Sequence, residues 1–135
     1  MLIESIAKQR QRMRQIVSRL KKEYPDAHCS LEYKSSFQLL VATILSAQCT
    51  DERVNKVTKK LFIKYSSPKA FSSLPLEVIK KEIYSTGFYN NKAKSIKGMA
   101  IAVMKQHGGK LPQTLDEMVK LPGVGRKTAN VVLGN

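Results

Sequence analysis

The chain has 135 residues, with 24 Lys and Arg against 10 Asp and Glu, giving a formal net charge of +14. That length suits one domain burying roughly two-thirds of its unfolded surface, so a core is possible without disulfide staples. No apolar run reaches membrane-span length and the N-terminus lacks the apolar core and cleavage site of a secretory signal. The expectation is a soluble, cytoplasmic protein. Its charge is far more than solubility requires, and a polyanionic partner, nucleic acid first, follows from it. Some of the lysines, such as Lys56, Lys59 and Lys60, would lie on a solvated helix face in any case. Only Cys29 and Cys49 occur, neither in a Cys-x-x-Cys nor near a metal-spaced histidine, which implies free thiols and no metal site. His28 and His107 read as surface loop residues rather than ligands.

Apolar residues recur at helical spacing almost throughout and sustained alternation is absent, so the fold class is all-α and residues 1–135 read as a single helical domain. Residues 1–24 read as an amphipathic first helix with Ile3, Ile6, Arg10, Met13, Val17 and Leu20 on one mostly apolar stripe, ended by Pro25. Its arginine content also suits a mitochondrial transit peptide, but Glu4 and Glu23 argue against that. A second helix starts from a Ser35 or Ser36 cap and runs through Phe37, Leu40, Val41, Ile44 and Leu45. It is the least charged segment and is expected to be central. A third starts near Thr50 or Asp51 and turns Val54, Val57, Leu61 and Phe62 inward. Ser67-Pro68 and Leu74-Pro75 each read as a cap followed by a first-turn proline. Thr86-Gly87 closes the helix of Val78, Ile79 and Ile83; Asn90 can cap the next one, and Gly108-Gly109 ends it. Thr114-Leu115-Asp116-Glu117 is a capping box opening the last helical pair, at residues 114–135.

That pair contains the segment with most chemistry in it, Leu121-Pro122-Gly123-Val124-Gly125-Arg126-Lys127-Thr128. A dinucleotide fingerprint would need a third glycine where Thr128 stands and a preceding strand, and a phosphate-binding P-loop would need Gly where Arg126 stands. Both readings fail. What remains is a glycine hairpin leading into a helix N-terminus, where backbone N–H groups converge on an anion such as a DNA phosphate. Such a contact positions a duplex without reading its bases. Lys127 is then either one more phosphate-binding cation or a nucleophile. A nucleophilic amine must be neutral, and a free lysine titrates near about 10.4. A helix N-terminus, an adjoining cation and partial burial all disfavour the ammonium.

Apolar helix, Leu-Pro-Gly-Val-Gly, apolar helix resembles the helix-hairpin-helix of base-excision DNA glycosylases, and lysine at position 127 resembles the endonuclease III family among them. Two further segments carry the resemblance. Phe37 through Leu45, then Ser46-Ala47-Gln48 and Thr50-Asp51, is similar to the family's helix ending in Leu-Ser-Ala-Gln before Thr-Asp. Gly87-Phe88-Tyr89-Asn90-Asn91-Lys92-Ala93 is similar to its Gly-apolar-Tyr-Asn-x-Lys-Ala loop. The resemblance runs from about residue 14 to the C-terminal end. It implies base-excision repair of duplex DNA containing oxidised pyrimidines or abasic sites. Lys127 would attack the sugar C1′ of a flipped nucleotide, form a Schiff base and permit strand cleavage by β-elimination. The related adenine-mismatch glycosylases usually carry Ser there.

By the same resemblance Gln48 would enter the space left by the flipped nucleotide, where a polar helix-end cap is the plainer reading. Phe88 would wedge into the base stack; the family more often has Leu, and a buried loop anchor is the alternative. Asn90 and Lys92 would contact or approach the DNA backbone, with Asn90 equally a helix cap. Pro122, Gly123, Val124, Gly125 and Arg126 would form the phosphate-binding hairpin.

The family also places an essential Asp in a Val-Asp-Thr-His segment beyond the hairpin's second helix, and a four-cysteine loop holding a [4Fe–4S] cluster. Neither is present. The expectation is a C-terminally truncated chain with no cofactor, monomeric or associating through an exposed first helix. DNA binding would persist, glycosylase activity would be poor or absent, and lyase activity through Lys127 would be what can survive. The rival is a noncatalytic DNA-binding module using the hairpin for phosphate contacts only.

Overall fold

The computed structural model describes residues 30–134, and Leu31–Asn135 forms one compact unit. The helix expected over residues 1–24, its suggested role in association, and His28 and Cys29 lie outside the described residues. The single-domain reading extends into the same stretch.

Among the described residues the structure is helical with no strand, as the spacing predicts. In chain order the helices are α1 (Ser36–Leu45), α2 (Asp51–Lys64), α3 (Pro68–Ser73), α4 (Leu76–Ile83), a 3-10 turn (Tyr84–Thr86), α5 (Tyr89–His107), α6 (Leu115–Met118) and α7 (Arg126–Leu133). Four of them start where a hydroxyl precedes the first turn. Ser35, Thr50, Ser67 and Thr114 accept from the amides of Gln38, Arg53, Ala70 and Glu117, each satisfying one of the donors a helix start leaves open. Gln38 adds to the first cap by accepting from the Lys34 amide at 2.8 Å. At Thr114 the partnership is doubled: its hydroxyl also donates to the Glu117 carboxylate at 3.2 Å.

Three local expectations need correction. Pro75 is itself the cap residue of α4 rather than its first turn, because its extended ψ of 142° stands outside the helix. Asn90 does not cap α5: the cap is Phe88, and Asn90 is already helical. In α2 the buried side chains are Val54, Thr58 and Leu61, whereas Val57 and Phe62 are only half-buried. Thr58 tolerates burial because its hydroxyl donates back to the Asn55 carbonyl.

α1 is buried on nearly every side, with Leu39, Leu40, Val41, Ala42 and Leu45 at 1% exposure or less. A helix apolar all round has to be enclosed by others, and α2, α5 and α7 surround it. α5, the longest helix, receives α3 and α4 on another side. Phe71 of α3 fills that space, its ring 5.6 Å from Phe37 and 6.3 Å from Tyr65.

Two lysines of α5 are turned inward. Lys97 donates to the carbonyls of Ser72 and Leu74, closing the C-terminal end of α3. Lys92, 5% exposed, donates from Nζ to the Leu45 carbonyl and to the Thr86 carbonyl, each at 2.8 Å. Its third neighbour is Cys49. Burial holds the Lys92 ammonium below the ordinary lysine value of 10.5, and ionised Cys49 would push it back up.

The hairpin between α6 and α7 is seated on α5. Gly123 has φ +74°, and a Cβ there would collide with the Ser95 side chain and stand 3.2 Å from Ser95 Cα. One turn further, a Cβ on Gly98 would lie 3.2 Å from Pro122 Cβ. Ser95 and Gly98 are thus small because a backbone hairpin lies across them. Gly123→Ala combines left-handed strain with overpacking and should cost about 2–4 kcal/mol, read as a lower urea midpoint with unchanged slope.

The lowered Lys92 value sets a second expectation. The folded protein releases this proton more readily than the unfolded chain, so the group's contribution to stability is least when both states are protonated. It rises as pH climbs through the folded-state value towards 10.5 and is flat above. The neutral amine keeps two N–H groups, enough for both carbonyls. Wild-type stability measured against Lys92→Met should therefore grow on the alkaline side; a difference independent of pH there would contradict the burial argument.

Candidate nucleic-acid interface

Three exposed features are carried by this framework. The first is the start of α7. Leu121 and Val124 are buried and anchor the hairpin, while Pro122, Gly123, Gly125, Arg126 and Lys127 face solvent. The α7 cap is Gly125, which offers no side-chain acceptor, and the first turn contains no acidic residue. Unlike the helices capped by Ser or Thr, α7 leaves its first amides to an outside acceptor. Arg126 and Lys127 add two cations at the positive end of the helix dipole, an arrangement that is unfavourable until an anion arrives. Lys127 is the second residue of α7 and is exposed, so the partial burial anticipated for a nucleophile is not provided by this chain.

The other two features are single residues with unusual backbones. Among the described residues only Gln48 and Phe88 combine a positive φ with a side chain, at +55° and +47°. Bulky residues seldom occupy this left-handed region, at a cost of about 1–2 kcal/mol each. Strain of this kind concentrates at functional sites. Gln48 is exposed and follows the end of α1 by three residues, so it is not the helix-end cap; the cap residue is Ser46, whose hydroxyl donates to the Thr43 carbonyl. Phe88 is 67% exposed, which rules out a buried loop anchor. Beside it the rings of Tyr84 and Tyr89 lie 4.7 Å apart and stiffen the loop.

Asn90 is exposed on the first turn of α5, within reach of whatever meets Phe88. Lys92 is not: its ammonium is engaged by two carbonyls inside the protein, which corrects its expected approach to a DNA backbone. A signal for this was available, since Lys92 shares the stripe of Ile96, Met99 and Val103, where a lysine can be kept only with its charge satisfied. Ser95 and Gly98 carry a signal too: small residues three apart on a long helix are a cue for a close backbone crossing.

His107 is the last residue of α5 rather than a loop residue, with Nδ1 4.0 Å from the Glu117 carboxylate. Among the described residues no group of three or more His, Cys, Asp or Glu could hold a metal ion. No helix there is long and apolar enough to cross a membrane.

Residues 41–133 match the family described as HhH-GPD superfamily base excision DNA repair protein. An endonuclease III of Synechocystis sp. is 51% identical over 134 residues, which are 99% of this chain and 61% of that relative. Of the solved structures, a non-covalent endonuclease III–DNA complex is similar with a TM-score of 0.79 and 47% identity, covering 93% of this chain and 58% of that one. A trapped endonuclease III–DNA covalent intermediate is similar at 0.78 and 48%, covering 92% and 58%. This chain thus spans about three-fifths of the length of these relatives. With an all-helical fold, the hairpin seated on α5 and a family match over most of its length, the chain belongs to the HhH-GPD superfamily of base excision DNA repair proteins.

Proposed function

We propose that this chain carries the duplex-binding face and the nucleophile of a base-excision DNA glycosylase with abasic-site lyase activity, acting on oxidised pyrimidines. The observation that carries the reading is Lys127, exposed on the first turn of a helix whose amides are left open by Gly125 and whose hairpin is fixed on α5. A DNA phosphate satisfies those amides and neutralises Arg126. In the complex the duplex covers Lys127 and excludes bulk water from the reacting centre.

In the reaction, the neutral Lys127 amine attacks C1′ of the flipped nucleotide as the bond to the base breaks, and the base leaves with the electron pair and takes up a proton. A proton passes from nitrogen to O4′ as the C1′–O4′ bond breaks and the sugar opens, leaving a protonated imine at C1′. Removal of a C2′ proton then expels the 3′ phosphate by β-elimination, and water releases the enzyme. Gln48 and Phe88, both exposed on strained loops, suit entry into the duplex where the nucleotide has left. Asn90 contributes a contact to the backbone near Phe88. The similarity to a trapped endonuclease III–DNA covalent intermediate supports covalent chemistry.

A [4Fe–4S] cluster does not fit the described residues. It takes four thiolates, whereas the sequence has Cys29 and Cys49 only, and no step is assigned to such a group. The site of action we propose is the cell interior, wherever the DNA is.

Incubation with an abasic-site duplex under borohydride tests the reading. A covalent protein–DNA band that disappears in Lys127→Ala, with duplex affinity reduced only severalfold, is expected. No band, or equal bands from both proteins, would leave a phosphate-binding module without chemistry.

A further inference from the structure

Gln48 and Phe88 belong to loops far apart in the chain, yet a single side chain reaches the roots of both. Gln48 follows Leu45 by three residues and Phe88 follows Thr86 by two. The carbonyls of Leu45 and Thr86 accept from the same Nζ of Lys92 at 2.8 Å, so the two oxygens lie within twice that distance of each other. We propose that Lys92 is a positioning residue for damage recognition: its buried ammonium ties the end of α1 to the 3-10 turn, so that Gln48 and Phe88 are presented to the duplex as one rigid pair. This rests on the reading that those two residues enter the duplex.

Three observations converge on the tie. Lys92 is 5% exposed, so neither carbonyl can exchange it for water without the core opening. Burying a lysine is costly, and the two carbonyl bonds are what offset that cost here while burial holds the ammonium below its ordinary value. Both loops it holds contain the left-handed backbones of Gln48 and Phe88, which relax unless their surroundings over-determine them. Lys97 provides an internal contrast. It likewise donates two hydrogen bonds, to the carbonyls of Ser72 and Leu74, but both belong to one helix end, so it closes α3 and ties no second loop.

The consequence is a separation of two properties. Affinity for any duplex comes from exposed cations and the hairpin, which Lys92 does not touch. Preference for a damaged site requires Gln48 and Phe88 to arrive together, and their ordering is prepaid by the tie.

The test measures the chain's affinity for a duplex with a tetrahydrofuran abasic analogue and for the same duplex undamaged. The variants are Lys92→Met, the pair Gln48→Ala with Phe88→Ala, and all three together. The pair should lower the damage preference about tenfold, and Lys92→Met should lower it by a similar factor with undamaged affinity within about twofold of wild type. The triple variant should be no worse than the pair, because a residue acting through two others has nothing left to position once they are gone. Wild-type preference in Lys92→Met, or losses that simply multiply in the triple variant, would overturn the proposal. Wild-type preference in the pair would instead overturn duplex entry by Gln48 and Phe88. Should Lys92→Met fail to melt cooperatively, Lys92→Gln, whose shorter amide cannot span both carbonyls, takes its place with the same expected and overturning results.

Discussion

Helix ends leave carbonyl groups without partners, and in this fold two lysines of one helix resolve that constraint for the helices around it. The end of α1 and the 3-10 turn meet at Lys92, and the end of α3 meets Lys97. An unpartnered buried carbonyl costs about 1–3 kcal/mol, so the mutual placement of these ends is enforced rather than incidental. α5 is the axis of the arrangement. It begins at the strained Phe88, carries Lys92, and offers Ser95 and Gly98 as the surface on which the hairpin rests.

The same helix therefore determines where each exposed candidate feature can be. Phe88 starts it, Gln48 is tied to it through Leu45, and Lys127 enters α7 from a hairpin that α5 supports. Ser95 and Phe88 are separated by two turns, about 10 Å along the axis. That distance is a few base steps of duplex, compatible with a phosphate held at the hairpin and a nucleotide displaced near Phe88. Rigid elements under strained tips meet what base flipping demands, since unstacking energy must be opposed by groups already in place.

The departures from regular local structure fall on the side facing solvent. Four helices are capped by their own hydroxyls, while α4, α5 and α7 start without a side-chain cap. The starts of α5 and α7 adjoin Phe88 and Lys127. The phosphate binding we propose needs open amides, and keeping them uncapped sacrifices some stability of the free protein in favour of a complex.

Much of this was legible in the chain itself. The caps at Ser67 and Thr114, those at Ser35 and Thr50 to within one residue, the glycine stops after α5, the enclosed α1 and the hairpin motif were readable, because each depends on residues within about a turn of one another. Charge balance alone indicated a polyanionic partner, since net charge requires no fold to be counted. What only the tertiary structure decided were the long-range assignments. Lys92 looked like a surface cation, yet it bonds a carbonyl 47 residues away; Asn90 looked like a cap and Phe88 like a possible core anchor. A side chain's partner across that separation is chosen by how helices pack, and packing is a property of the whole set of faces rather than of any window of sequence. The left-handed backbone at Gln48, φ +55°, is likewise a feature that the adjacent residues do not announce.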